Sequence, residues 1–194
     1  MRLPRVSAVG LALTSGAMAL SLLSSVPASA SPPVAAKPLV STIRPAGHSL
    51  RTSALVTIPS FGVSAKVVVE GVDKKTGQFV VPGDPKIIGW SRYGPQPGEP
   101  GTALFFGHRS SAGAFWHVPE MKRGTEFKIT GLNGVVTKWR VTSVQQAPKK
   151  DLPGGLFENT GAPRVAFVTC GGEFNYKIGH FKDNVIAWAQ PASK

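Results

Sequence analysis

The sequence predicts an all-β domain, a sandwich or closed barrel of about eight short strands joined by tight turns. Three observations point there. Glycine and proline supply 22 and 17 of the 194 residues, a density that suits turns and disfavours long helices. Several runs alternate apolar with polar residues, the period-two pattern of a strand with one buried face. Helical signal, by contrast, is confined to two short pieces.

In chain order, strands are expected at Leu55–Ile58, Lys66–Glu70 and Gln78–Val81, then at Thr102–His108. The clearest alternation comes next. Phe127 and Ile129 interleave with Glu126 and Lys128, while Val135, Thr137, Trp139 and Val141 interleave with Lys138, Arg140 and Thr142. Asn133-Gly134 stands between these two runs, a strong hairpin-turn signal. Arg164–Cys170 and Val185–Ala189 complete the set. Short helical turns are expected at Phe115–Pro119, where Pro119 limits extension, and at Lys149–Leu152. Trp90, Phe105, Phe106, Trp139 and Phe167 are the candidate aromatic core. No internal repeat is visible.

The chain reads as three segments. Residues 1–30 combine Arg2 and Arg5, an uncharged run from Val6 to Val26 and the small-residue exit Ala28-Ser29-Ala30. That is the pattern of a secretory signal; a retained membrane anchor is the competing reading, because about 20 apolar residues span a bilayer. Either places the body of the protein outside the cytoplasm. Residues 31–52, with Pro32, Pro33, Pro38 and Pro45, read as an extended spacer. Residues 53–190 form the folded domain.

Charge and cysteine count narrow the function classes. The formal net charge is +12, from 22 basic and 10 acidic residues. Without the first 30 residues, which hold Arg2 and Arg5 and no acid, 20 basic residues still face 10 acids. Secretion argues against a nucleic-acid partner, so anionic wall polymers and membrane headgroups are the expected counter-ions. A single cysteine excludes an intrachain disulfide framework and a Cys-rich zinc site. His180, Asp183 and Glu173 cluster in sequence alone, short of the positioned ligand set zinc needs, and no acidic cluster suits calcium. Neither metal nor cofactor is expected.

His108 and Cys170 carry the chemistry. Each ends an apolar run: Leu104-Phe105-Phe106-Gly107-His108 and Val165-Ala166-Phe167-Val168-Thr169-Cys170, the second followed by Gly171-Gly172. Strand ends at a rim present side chains from a rigid scaffold, and a glycine pair permits close approach. A thiol attacks as its thiolate, which an adjacent imidazole can hold as an ion pair before passing its proton to a leaving amine. Cys170 could equally be a small buried hydrophobe; an unpaired thiol outside the cell is an oxidation liability, and its retention asks for a reason.

Around these residues the chain resembles the sortases, most closely the actinobacterial class E/F group. Phe167-Val168-Thr169-Cys170-Gly171-Gly172 resembles the nucleophile strand, Ile58-Pro59-Ser60-Phe61-Gly62-Val63 the opening motif, and Tyr93-Gly94-Pro95-Gln96-Pro97-Gly98-Glu99-Pro100-Gly101 a mid-chain segment. Gly107-His108 stands where that family keeps its histidine, and Gly179-His180-Phe181-Lys182-Asp183-Asn184-Val185 is similar to its last motif. The resemblance implies a closed eight-stranded β-barrel with one or two short helical turns. It also implies a cysteine transpeptidase that cleaves a C-terminal Leu-Pro-x-Thr-Gly-like sorting motif. The acyl group of the surface protein then passes to a cell-wall precursor amine. Cys170 would be the nucleophile, His108 the acid/base, and Thr169 a substrate-binding residue.

One position departs. The third catalytic residue of the family is an arginine, and Lys182 stands in its place. Lysine keeps the charge without the planar fork, and losing an oxyanion donor costs about 10²–10³ in rate. Arg109 and Arg92 are candidate substitutes, Arg109 as a substrate contact. The alternative function is a catalytically weak or inactive barrel that acts as a binding module at the cell wall. Other wall enzymes fit less well: a Ser-His-Gly-Cys box would put histidine just before the thiol, where Val168-Thr169 stand. His117 reads as a packing or surface residue and His48 lies in the spacer.

Overall fold

The computed structural model describes residues 54–71, 78–131 and 134–193. The signal segment 1–30, the spacer 31–52 with His48, and Asn133 of the expected hairpin turn lie outside the described residues. Eight strands close into a barrel: β1 (Ala54–Ile58), β2 (Val63–Glu70), β3 (Ile88–Ser91), β4 (Thr102–Gly107), β5 (Glu126–Thr130), β6 (Val136–Pro148), β7 (Arg164–Asn175) and β8 (His180–Pro191). Their order round the barrel is β1-β2-β3-β4-β7-β8-β6-β5. Closure leaves no unpaired edge, which is how an all-β chain avoids pairing with copies of itself.

Alternation decides which side chains go in. In β1, Ala54, Val56 and Ile58 are buried while Leu55 is 39% exposed. In β7 and β8, Val165 and Phe167 pair with Ala189 and Ala187 and belong to the barrel interior. Phe167 is the hub: its ring lies 5.8 Å from Phe105, 5.0 Å from Phe115 and 4.5 Å from Phe127. The intervening residues face outward, yet many are buried too. Leu104, Phe106, Ala166 and Ile186 form a second apolar cluster, joined by Ala147 and Leu156. Phe106, expected in the core, is therefore buried on the outer face. It can lie flat there because Gly89 of β3 leaves open the space a Cβ would take from its ring.

Four details differ from expectation. Gln78–Val81 forms no strand; Phe79 makes an isolated bridge and stacks on Phe106 at 4.7 Å. β3 appears where none was expected. In β6 a register shift between Val141 and Ser143 reverses the phase, so the strand continues to Pro148 beyond the alternating run. The helical turn expected at Lys149–Leu152 forms instead as a 3₁₀ turn at Gly154–Phe157. Pro153 explains the displacement, since the residue before a proline is steered away from helical geometry. Two further 3₁₀ turns stand at Pro59–Phe61 and Val118–Glu120.

Two strand pairs are parallel, β2 with β3 and β4 with β7. The second positions the two residues singled out in the sequence, His108 and Cys170. Parallel neighbours end at the same rim, so the C-terminal ends of β4 and β7 come out side by side although β5 and β6 intervene in sequence.

Candidate active site

β4 and β7 run in register from Thr102↔Arg164 to Gly107↔Thr169. His108 is the first residue after β4 and Cys170 the next residue of β7, so each directly follows the last registered pair, where neighbouring strands lie about 4.8 Å apart. Alternation puts Cys170 on the outer face with Ala166 and Val168, and extends the outer phase of Leu104 and Phe106 to His108. Both are half-buried. The two strand ends are tied by the buried Thr169, whose hydroxyl donates to the Gly107 carbonyl at 2.9 Å. Thr169, expected as a substrate-binding residue, is 2% exposed. Its side chain points into the barrel, and its hydroxyl is used to hold the residues before His108 and Cys170 together.

β8 lines the other side of the thiol. Cys170 is directly opposite Asn184, and Gly171 opposite Asp183. The glycine pair, expected to admit backbone or substrate, proves to serve this packing. A Cβ on Gly171 would run into the Val185 side chain, and one on Gly172 into the Asp183 carboxylate. Gly172 also has φ +71°, a left-handed conformation that costs other residues roughly 1–2 kcal/mol. The register shifts between Gly171 and Phe174, after which β7 and β8 continue as an exposed hairpin with Tyr176 89% and Ile178 62% exposed. Lys182 lies on this hairpin. Its Nζ donates to Glu173 Oε2 at 2.6 Å, an ion pair open to solvent.

Arg109 follows His108 and is half-buried. Its guanidinium lies 5.8 Å from the Trp116 ring centroid and 5.2 Å from that of Phe181 on β8, and its buried Nε has no hydrogen-bond partner among the described residues. Aromatic faces attract a cation more strongly once it is desolvated, and through these two rings Arg109 bridges the loop after β4 to β8. Arg92 is exposed and lies near Gly71 and Tyr93. His117 stacks on Phe61 at 4.9 Å and pairs through Nδ1 with Glu120 at 2.9 Å, the packing role expected of it. His180 is exposed. Sequence reasoning missed Asn184 and Trp116 as neighbours of this region. The β7–β8 register that reveals Asn184 depends on a bulge that no local pattern signals.

Among the described residues no group of three or more His, Cys, Asp or Glu side chains could hold a metal ion, and no helix is long and apolar enough to cross a membrane. A surface cleft of about 510 Å³ is lined by Tyr93, Pro95, Glu99 and Asn159. It is at the beginning of β4, where Thr102 N–H bonds the Glu158 carbonyl, and therefore at the opposite end of the strand from His108. We take the strand ends, which carry the Cys170 thiol and the His108 imidazole, as the candidate site.

The solved structures most informative for comparison share the fold at low identity. Sortase A from Corynebacterium diphtheriae superposes with a TM-score of 0.55 and 16% identity, over 74% of this chain and 61% of that one. Sortase C-1 from Actinomyces oris gives 0.55 and 21%, over 73% and 74%. A Clostridium perfringens sortase D5 transpeptidase gives 0.55 and 23%, over 73% and 79%. The chain thus spans less than two thirds of the Corynebacterium structure. No curated protein matches the sequence. The sortase-domain family model matches residues 56–192, which run from β1 through β8 and contain both strand ends. The chain belongs to the sortase family.

Proposed function

We propose that the protein is an extracytoplasmic cysteine transpeptidase that joins a surface protein to a cell-wall amine. The observation that carries this reading is the parallel β4–β7 pair, which delivers one imidazole and the chain's single thiol to the same rim and the same face. Family membership supports the reaction class; the class E/F resemblance and the motifs quoted above support a Leu-Pro-x-Thr-Gly-like substrate.

The steps follow from the two groups. The Cys170 thiolate attacks the threonine carbonyl carbon of the sorting motif, and the carbonyl electrons move onto oxygen. The C–N bond to glycine then breaks, and the leaving amine takes its proton from the His108 imidazolium. This leaves a thioester on Cys170. An incoming amine gives a proton to His108, attacks the thioester carbon and expels the thiolate. The apolar outer face beside Cys170, formed by Val168, Phe106, Phe79 and Trp188, suits the apolar residues of a peptide lying along β7. Lys182 takes the place of the family arginine as the charge that steadies the substrate carbonyl. Arg109 contributes a second cation at the rim.

The test is acyl transfer. Purified protein mixed with a fluorogenic Leu-Pro-x-Thr-Gly peptide should form a thioester visible by mass spectrometry, absent in Cys170→Ala and slowed at least tenfold in His108→Ala. A set of sorting-motif peptides left intact after overnight incubation, together with alkylation of Cys170 that ignores His108, would overturn the enzyme reading. It would leave the wall-binding barrel, which the engagement of Lys182 by Glu173 favours.

A further inference from the structure

Within the transpeptidase reading, on which this inference rests, we propose that Asn184 is a further catalytic residue, whose carboxamide donates a hydrogen bond to the oxygen that becomes negative during acyl transfer at Cys170. Three observations lead there. First, the register places Asn184 directly across from Cys170. Side chains so paired have Cβ atoms about 4.5–5.5 Å apart. Both belong to the outward phase, because their neighbours Thr169 and Val185 are buried at 2% and 6% exposure. Second, Asn184 is held on a rigid element. β8 is paired on both sides, and the same residue is matched to Ala147 of β6. Its position therefore does not depend on the exposed hairpin that carries Lys182. Third, the polar groups beside it are taken. Lys182 donates to Glu173 at 2.6 Å, and the Asp183 carboxylate accepts from Gln146 Nε2 at 2.7 Å. The half-buried Asn184 carboxamide has no hydrogen-bond partner among the described residues.

An amide is the right group for this task. It offers two N–H donors, remains neutral at every working pH, and cannot be drawn away by a neighbouring carboxylate as an ammonium can. A donor already aimed at the developing oxyanion needs no reorganisation when the charge appears. Lysine in place of arginine removes a planar, multiply donating fork from this site. A fixed carboxamide opposite the thiol restores a directed donor, and the ammonium of Lys182 adds longer-range charge.

Steady-state and single-turnover kinetics with the fluorogenic Leu-Pro-x-Thr-Gly peptide test the proposal on the full chain, as wild type, Asn184→Ala and Asn184→Asp. For Asn184→Ala the expected result is a fall in kcat of about 10²-fold, the size of a lost oxyanion donor. KM should stay within twofold, and the rate of Cys170 alkylation by iodoacetamide should be unchanged at each pH. Asn184→Asp keeps the shape, so it serves should the alanine variant fold poorly. It should lose at least as much kcat, and its alkylation profile should move to higher pH, because a carboxylate facing the thiol disfavours the thiolate. A wild-type kcat in Asn184→Ala overturns the proposal while leaving the transpeptidase standing. So does a rise in KM with kcat intact, which would make Asn184 a ground-state contact. A wild-type protein that forms no thioester overturns both.

Discussion

The two faces of the β4–β7–β8 sheet do different work with alternate residues of the same strands. Facing inward, Phe105, Phe167 and Ala187 meet the rings of Phe115 and Phe127 in a core of close aromatic contacts. Facing outward, Phe106, Val168 and Ile186 form a shallower apolar surface that ends in His108, Cys170 and Asn184. Only the inner face is sealed all round. The outer one is roofed in part by Phe79 and by Phe157, itself 56% exposed. In the transpeptidase reading the contrast separates stability from chemistry by a single residue step, so adjacent substitutions should have opposite signatures.

The largest expected effect is on the inner face. Phe167→Ala should destabilise the domain by about 3–5 kcal/mol, the usual cost of an emptied aromatic site, read as a lower urea midpoint. Val168→Ala, one residue on and half-buried, should cost about 1 kcal/mol and instead raise KM for the peptide. Equal losses of stability at both positions would break the distinction between the faces.

Next comes the hinge between the faces and the hairpin. Gly172→Ala combines a left-handed backbone with a methyl aimed at the Asp183 carboxylate, and we expect a loss of about 2–3 kcal/mol with acylation slowed more than tenfold as Cys170 shifts. Gly154→Ala, a glycine with open space around its Cβ position, is the control and should change neither.

Much of this organisation was legible in the sequence, and what was not has a physical reason. The runs ending in His108 and Cys170 carry their own alternation, so both strands and both end residues could be read locally. Their adjacency could not, because a parallel pair separated by 62 positions is a property of the closed barrel. β3 escaped notice because Gly89 interrupts its apolar pattern, and the reason for that glycine, the Phe106 ring, lies on another strand. The expected strand ended at Cys170; β7 instead continues to Asn175, since the space the glycines vacate is filled by β8. The inward turn of Thr169 likewise follows from pairing rather than from its motif.

A smaller effect sharpens the role of that threonine. Thr169→Val preserves shape and removes the hydroxyl that caps the Gly107 carbonyl. An acceptor left unsatisfied in a buried site costs about 1–3 kcal/mol. Thermal unfolding should report a loss at the low end of that range. Thioester formation should fall several-fold further than the stability loss explains, because the tie holds His108 beside Cys170. Unchanged acylation would show that the strand pairing alone suffices to align them.

The smallest effect on stability should come from the hairpin, and it discriminates between roles for Lys182. The ion pair with Glu173 is exposed, with side-chain accessibilities of 50% and 74%, so its removal should change stability by no more than about 1 kcal/mol. If the ammonium serves the reaction, Glu173→Gln frees it and alters kcat, whereas Lys182→Ala lowers kcat at nearly constant stability. Lys182→Arg should preserve or raise the rate, because a planar guanidinium can contact carboxylate and substrate oxygen together. The salt dependence supplies the remaining discrimination: added salt weakens an exposed pair, so wild type and Glu173→Gln should converge in rate as ionic strength rises. A Lys182→Ala enzyme as active as wild type at every salt concentration would assign the pair to the hairpin alone and leave the oxyanion to donors on the rigid part of β8.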